Sequence, residues 1–482
     1  MTFRKNIRIG IMWNSTAKLF EQSFHLLFSI LLARLIAPSA FGLIAMAIFF
    51  TAGAGLFVEL GLGTAVIQRE NLNQDHLNSV FWMNVLTGFL GMIVCYAGAG
   101  QIAAFYKEPI LIPIAKALSL NFITGSFAIV PRALLYRNMK FNRSAQIDMF
   151  ISLIGGLCAV IFALRGAGVW SLVARSILVT ALTSTLLFHQ SEFRPQFKFS
   201  FSAIKDIFRY GLYLSGFNFV NYLHRQGDNL IIGRLLGAHP LGIYDLAYQL
   251  MLFPITHIIS PISNVMISAF SSIQKDKNRI KEIYLRMNGV ICLVSFPILI
   301  AFLIMADYII LTIFGNAWQT AVLPLRILSI AGLVGIVCNP IGLIYISQGA
   351  TDKFFKWGLF GTFFLVSGIL IGAVIGRTIM SVAIGYMIAN LIILYPCIQW
   401  GGKLVEITFA DVLKVAGPIL SVNILMGCAM TGIRLLVGVH NPLAMLGIET
   451  MAALLIYFSL IKFFKIRALD DLIGFIKERV EP

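Results

Sequence analysis

Residues 33–47 read ARLIAPSAFGLIAMA, and residues 233–247 read GRLLGAHPLGIYDLA. An offset of 200 positions lays Arg34 on Arg234, Leu35 on Leu235, Gly42 on Gly242 and Ala47 on Ala247. Most of the remaining positions exchange one apolar residue for another. Each copy closes one apolar stretch and opens the next through a short turn. A chain that repeats an arginine-led turn in this way reads as two similar halves.

The surroundings of the turns define the class. Hydrophobic residues make up 59% of the 482-residue chain and charged residues 12%, against about 25% charged in soluble domains. Mean hydropathy is +0.87. Apolar runs long enough to cross a bilayer as helices recur from end to end, with no polar linker between them. They predict an all-α integral membrane protein with fourteen transmembrane helices, near residues 12–34, 41–64, 80–105, 111–131, 147–165, 168–188, 210–235, 241–270, 287–313, 321–347, 357–376, 378–400, 411–433 and 443–463. Arg4, Lys5 and Arg8 precede the first stretch as in a signal peptide. Lys18, Glu21 and Gln22 interrupt it without a small-residue cleavage site, so a retained span is expected. Cys95, Cys158, Cys292, Cys338, Cys397 and Cys428 all lie in apolar segments and read as small buried hydrophobes.

Lys and Arg gather at the N-terminus, in the loops after even-numbered spans (Arg132–Arg143, Arg194–Arg209 and Lys275–Arg286 among them) and in the tail. By the positive-inside rule both termini are expected in the cytoplasm. A net charge of +16 spread over short loops on one side suits anionic headgroups, and no nucleic-acid partner is expected. In the tail, Leu469, Leu472, Ile473, Ile476 and Val480 share one helical face, which predicts an amphipathic helix on the cytoplasmic surface.

Six spans separate the two copies of the turn, an even number, so both point the same way through the membrane. This is a parallel repeat: two six-helix lobes related by a pseudo-two-fold axis along the membrane normal. The expected organisation is residues 1–200 for the first lobe, 201–402 for the second, 403–464 for two further C-terminal helices and 465–482 for the tail.

Ionisable residues inside spans cost about 2.5–3.5 kcal/mol each at a span centre and generally face a partner or a wet cavity. Asn14, Lys18, Glu21, Gln22 and His25 share one face of the first span. Asn218, Asn221, Tyr222, Arg225, Asp228 and Asn229 stripe the seventh, where the repeat offset lays Arg225 on His25. Two readings stand side by side. In one, Lys18, Arg175 and Arg225 supply positive potential for a diphosphate, while Asn218, Asn221 and Tyr222 suit sugar hydroxyls, with Gln22 and His25 as further substrate-binding candidates; His25 also reads as a hydrogen-bonded interior histidine. In the other, Lys18 pairs with Glu21 and Arg225 with Asp228. Arg175 has no acid nearby in sequence and is the leading candidate for substrate charge. Glu21, Glu59 and Asp228 are candidates for coupling to a proton or sodium gradient. Arg34 and Arg234 anchor the repeated turns at the interface or gate them.

No GxxxxGK[ST] loop occurs; the nearest fragment, Gly402-Lys403, runs into Leu404. No HExxH or cysteine–histidine cluster is present, and no cofactor or metal is expected.

Several stretches resemble the polysaccharide transporters of the multidrug/oligosaccharidyl-lipid/polysaccharide exporter superfamily, the Wzx-type flippases. RLLGAHPLGIYDLAYQL is similar to their span 7–8 signature. FGLIAMA, ELGLGTAVIQRENL, HLNSVFWMNV, AAFYKEP, VPRALLYRNMKF, GAGVWSLVA and DNLIIGRLLG resemble the colanic-acid-exporter (WzxC-like) branch, over about residues 10–290. The resemblance implies a fourteen-helix, two-lobed fold in a bacterial inner membrane and no enzymatic step. It implies an undecaprenyl-diphosphate-linked oligosaccharide as cargo, moved to the outer leaflet by alternating access, with membrane lipids, a polysaccharide polymerase and export machinery as partners. A multidrug antiporter of the same superfamily, or a membrane-embedded polymerase or acyltransferase, are the alternatives.

Overall fold

The computed structural model describes residues 20, 22–68, 72–436 and 442–477, and among them the chain is helical with no strand. Twelve helical segments are long and apolar enough to cross a membrane, and a shorter apolar helix, α1, covers Gln22–Leu35. Contacts divide the chain into two units, Met1–Gly242 and Ile243–Pro482.

The first unit continues with α2 (Pro38–Glu59), α3 (Leu62–Gln68), α4 (Gln74–Tyr106), α5 (Leu111–Arg137), α6 (Phe141–Leu164), α7 (Val169–Gln190), α8 (Phe201–Leu236) and the start of α9 (Ala238–Pro254). Local chemistry sets the breaks. Leu60 and Gly61 both take positive φ, 48° and 60°, and end α2. Asn73 caps α4 by accepting from the His76 amide at 2.9 Å, a side-chain substitute for a missing helical acceptor. Gly237, at φ 93°, makes the turn from α8 into α9, a left-handed conformation that costs glycine little.

Packing here centres on α5, which contacts α4, α7, α3 and α2. Polar side chains tie the elements at chosen heights. Thr87 of α4 donates to the Val58 carbonyl of α2 at 2.8 Å, and Arg137 of α5 donates to the Val66 carbonyl of α3 at 2.9 Å. The connector into α8 is fastened to α4: Trp82 Nε1 donates to the Gln196 carbonyl at 2.8 Å, while Asn78 and Ser79 accept from the Gln196 and Ser200 amides. Opposite the packed side, Leu86, Leu90, Ile93 and Val94 of α4 are all exposed at helical spacing. A stripe of this kind on an apolar chain is a lipid-facing surface.

The second unit holds the rest of α9, α10 (Ser260–Ser272), α11 (Lys277–Ile309), α12 (Val322–Cys338), α13 (Ile341–Ser347), α14 (Thr351–Ile371), α15 (Ile379–Gly402), α16 (Phe409–Leu436), α17 (Pro442–Phe463) and α18 (Arg467–Lys477). α11 is its axis and packs on α12, α16, α17 and α18. Asn288 Nδ2 donates to the Val337 carbonyl at 3.3 Å, and the Tyr457 hydroxyl donates to the Leu293 carbonyl. A π-helical turn over Ile255–Ile259 separates α9 from α10 beside Pro254. The six cysteines are free thiols.

The expected tail helix forms as α18, but Leu469 and Leu472 pack into the second unit's core, and Arg286 of α11 stands 3.9 Å from Asp471. That part of its apolar face covers α11 instead of facing lipid. The side chains of Ile476 and Val480 lie outside the described residues.

Candidate functional site

The repeated turns meet in the first unit. A side-chain carbon on Gly42 would overlap the Ala238 carbonyl, and one on Gly242 would overlap the Pro38 carbonyl. The 200-residue offset pairs Pro38 with Ala238 and Gly42 with Gly242, so each copy offers its glycine to the other copy's first helical residue. Only glycine lets two helix starts approach to backbone contact. The arginines of the turns are not equivalent. Arg34 is exposed. Arg234 lies 5.5 Å over the Phe105 ring, a cation–π contact; next to it, Gly233 leaves room for Tyr106 and Met46.

Below the crossing, α8 lies along α2. The Tyr222 hydroxyl donates to the Phe49 and Ile48 carbonyls at 2.9 and 3.3 Å, with its ring 5.8 Å from that of Phe49. Gly53 admits the Tyr222 and Phe219 rings. Tyr222 therefore clasps two helices with the hydroxyl that sequence reasoning offered to a sugar. Asn218 is half-buried. Asp228 and Asn229 are buried; Asp228 accepts from the Asn229 amide at 2.9 Å, and Asn229 Nδ2 donates to Gln226 at 2.6 Å. Arg225 is exposed. Gln22 and His25 on α1 are exposed, with His25 Nδ1 3.5 Å from the Ser29 hydroxyl. Lys18 and Glu21, with the pairing expected of them, lie outside the described residues, as does the Asn221 side chain.

Arg175 stands half-buried on α7, its stem beside Gly155 of α6, and no described acid pairs with it. One residue on, Ser176 accepts from Asn121 Nδ2 of α5 at 2.9 Å. This polar strip lies within the membrane-spanning helices. Glu59, by contrast, is exposed and interacts with Arg132, which holds Asp148 at 2.8 Å. These three charges form a group at the ends of α2, α5 and α6 where the Arg132–Arg143 loop begins.

The second unit carries a charge cluster that the sequence reading passed over. Asp307 of α11 joins Arg434 of α16 and, at 3.4 Å, Arg326 of α12, while Glu449 of α17 is fully buried. These positions are too far apart in sequence to suggest a site by spacing. The criterion that singled out Arg175, an ionisable residue within an apolar span, applies to Asp307, Arg326 and Glu449, whereas Arg434 sits one residue past the span expected over 411–433. Among the described residues no group of His, Cys, Asp and Glu could hold a metal ion.

Helices throughout the described residues, with lipid-facing stripes and charges inside their spans, define a multi-pass membrane protein. The chain belongs to the family described as polysaccharide biosynthesis protein, whose model matches residues 31–323. It is 28% identical over 398 residues, 81% of this chain and 80% of the relative, to the lipopolysaccharide biosynthesis protein WzxC of Escherichia coli (strain K12). It is 29% identical over 346 residues, 71% of each chain, to the teichuronic acid biosynthesis protein TuaB of Bacillus subtilis (strain 168). Among solved structures, the lipid II flippase MurJ in an inward closed conformation superposes with a TM-score of 0.73, at 15% identity, over 96% of this chain and all of that one. The chain thus shares the fold of the lipid II flippase MurJ.

Proposed function

We infer that the protein is a flippase that carries a polyprenyl-diphosphate-linked oligosaccharide from the cytoplasmic to the outer leaflet, for exopolysaccharide or lipopolysaccharide biosynthesis. The observation that carries this reading is similarity along most of the chain to WzxC and TuaB, both named for the biosynthesis of cell-surface polysaccharides. The cargo leaves chemically unchanged, and no catalytic residue is assigned. Fourteen spans in two six-helix lobes plus two further helices, with boundaries at 200/201 and 402/403, make the architecture, with both termini in the cytoplasm of a bacterial inner membrane.

Within that frame Arg175 grips the diphosphate. It is charged, half-buried and unpaired among the described residues, and a guanidinium can hold two phosphate oxygens at once. Lys18 and Arg225 add positive potential, and Gln22, His25, Asn218 and Asn221 meet sugar hydroxyls. Tyr222 serves this surface by holding α8 to α2. The glycine crossing closes one end of the route, with Arg34 and Arg234 beside it, and Glu21, Glu59 and Asp228 are candidates for proton or sodium coupling.

Depletion of the protein in its host tests the reading. Complete diphosphate-linked repeat units are expected to accumulate on the cytoplasmic face, and their sugars identify the cargo. Accumulation of outward-facing, unpolymerised units points instead to a step after flipping, and unchanged pools remove the assignment.

A further inference from the structure

At the ends of α11 and α16 remote from the Lys275–Arg286 loop, one guanidinium is held by one of two nearby carboxyl groups. Arg434 Nη2 donates to Asp307 Oδ2, its Nη1 donates to the Ile304 carbonyl at 3.3 Å, and its guanidinium lies 4.4 Å over the Tyr308 ring. Arg326 Nη2 stands 3.4 Å from the other Asp307 oxygen. Glu449 interacts electrostatically with Arg434 and Asp307, yet it is 0% exposed and, among the described residues, neither of its carboxyl oxygens has a hydrogen-bond partner. α17 packs on α16 and α11. The ionisable groups that interact with Glu449 from those helices are Arg434 and Asp307, with Tyr308 against the Arg434 guanidinium and Arg326 of α12 on the other Asp307 oxygen.

The geometry is that of a carboxyl group left out of an ion pair. With Arg434 committed to Asp307, no donor among the described residues reaches Glu449. A buried carboxylate without a donor is costly, whereas the neutral acid carries its own O–H. Arg326, Arg434 and Asp307 sum to one positive charge, so a carboxylate at Glu449 would balance the cluster once Arg434 turned toward it. The Asp307, Arg326 and Arg434 side chains are 27%, 33% and 25% exposed, which opens the cluster to its surroundings although Glu449 itself is closed off.

We propose that Glu449 is a proton-binding site worked by exchange of the Arg434 ion pair. Glu449 holds its proton while Asp307 clasps Arg434. As Arg434 leaves Asp307, the Glu449 O–H bond breaks, the proton passes to water, and the electron pair stays on the carboxylate that receives the guanidinium. Asp307 keeps Arg326. Proton release is thereby tied to a movement of the last two long helices against α11. The consequence for cargo rests on the flippase reading; the proton site does not.

The test is pH-difference infrared spectroscopy of the full chain in nanodiscs of phosphatidylethanolamine and phosphatidylglycerol. Wild type is expected to show a protonated-carboxyl band that disappears as pH rises, with about one proton released per chain to an indicator dye. Glu449→Gln, an isosteric neutral replacement, should remove that band and that proton while leaving the thermal unfolding transition in place. Asp307→Asn frees Arg434 for Glu449 and should abolish the band across the same pH range although Glu449 is still present. A band unchanged in Glu449→Gln, or unchanged in Asp307→Asn, overturns the proposal. Saturable binding of radioactive sodium to wild type and not to Glu449→Gln also overturns it, by assigning the site to sodium. Since none of these readouts requires the cargo, failure of the flippase assignment would be seen separately, in the glycan pools.

Discussion

Gly42 and Gly242, the matching glycines of the two repeated turns, pack against each other's helix starts. A side-chain carbon on either would collide with the backbone carbonyl of the residue that begins the other copy's helix. The contact is reciprocal, so the repeat seen in the sequence is also a local two-fold in space. Its closeness suits a joint that is shut in one state and parted in another.

Gly42→Ala and Gly242→Ala are each expected to destabilise this arrangement by about 1–3 kcal/mol through overpacking and to slow transport. Gly98→Ala or Gly100→Ala, where no heavy atom lies within 4 Å, should leave both unchanged. Thermal unfolding in detergent and glycan export in cells measure the two effects. Equal behaviour of all four variants would remove the crossing from the mechanism.

Tyr222→Phe keeps the ring against Phe49 and loses the hydroxyl bonds to two carbonyls. A loss of about 0.5–1.5 kcal/mol is expected, with export close to wild type, because the hydroxyl serves α2 and not the cargo. Tyr222→Ala removes the ring as well and should cost about 3–5 kcal/mol. A collapse of export in Tyr222→Phe at unchanged stability would restore the hydroxyl to the cargo.

Arg175→Ala and Arg434→Ala separate a charge offered to cargo from one held in an ion pair with Asp307. No described acid depends on Arg175, so its loss should cost about 1 kcal/mol or less in stability and abolish export with the protein still inserted. Arg434→Ala strips Asp307 of its nearer partner and leaves a partly buried carboxylate short of a donor, at about 1–3 kcal/mol. Normal export by Arg175→Ala would end its assignment to the diphosphate.

Glu192, in the connector after α7, accepts a hydrogen bond from Lys140 at 2.9 Å. That bond and the charges of Lys140 and Arg143 hold its carboxyl below the ordinary carboxylate value of 4.5. A lowered folded-state value means that the contribution is present above the unfolded value and is lost as pH falls through the folded one. Both partners are solvent-accessible, so the effect is small. Glu192→Gln should leave unfolding at pH 7 nearly unchanged and flatten a slight loss of stability in acid, read from melting curves across pH.

Much of this molecule was legible in one dimension because lipid imposes a one-dimensional code. A bilayer rejects open backbone, so the apolar runs had to be helices, and the structure shows helices along the expected stretches, such as α4 over Gln74–Tyr106 and α15 over Ile379–Gly402. Breaks were readable where chemistry is local, as at the repeated turns with their glycines. The tail's amphipathic spacing announced α18, whereas α11 decided what part of its apolar face would cover.

Partnership was not legible. Arg225 and Asp228 sit three residues apart and read as a pair, yet one is exposed and the other buried, since neighbours on a helix still face different surroundings. Tyr222 looked like a sugar ligand until the Phe49 carbonyl took its hydroxyl. Asp307, Arg326, Arg434 and Glu449 carry no common spacing and meet only because α11 and α16 end where α12 and α17 begin. By itself the sequence determined the class, the helices, the repeated turn and which residues pay to sit in a membrane. Only the tertiary structure decided which of those charges are neutralised and which are left unpaired, because charge pairing depends on distances between helices that spacing along the chain does not encode.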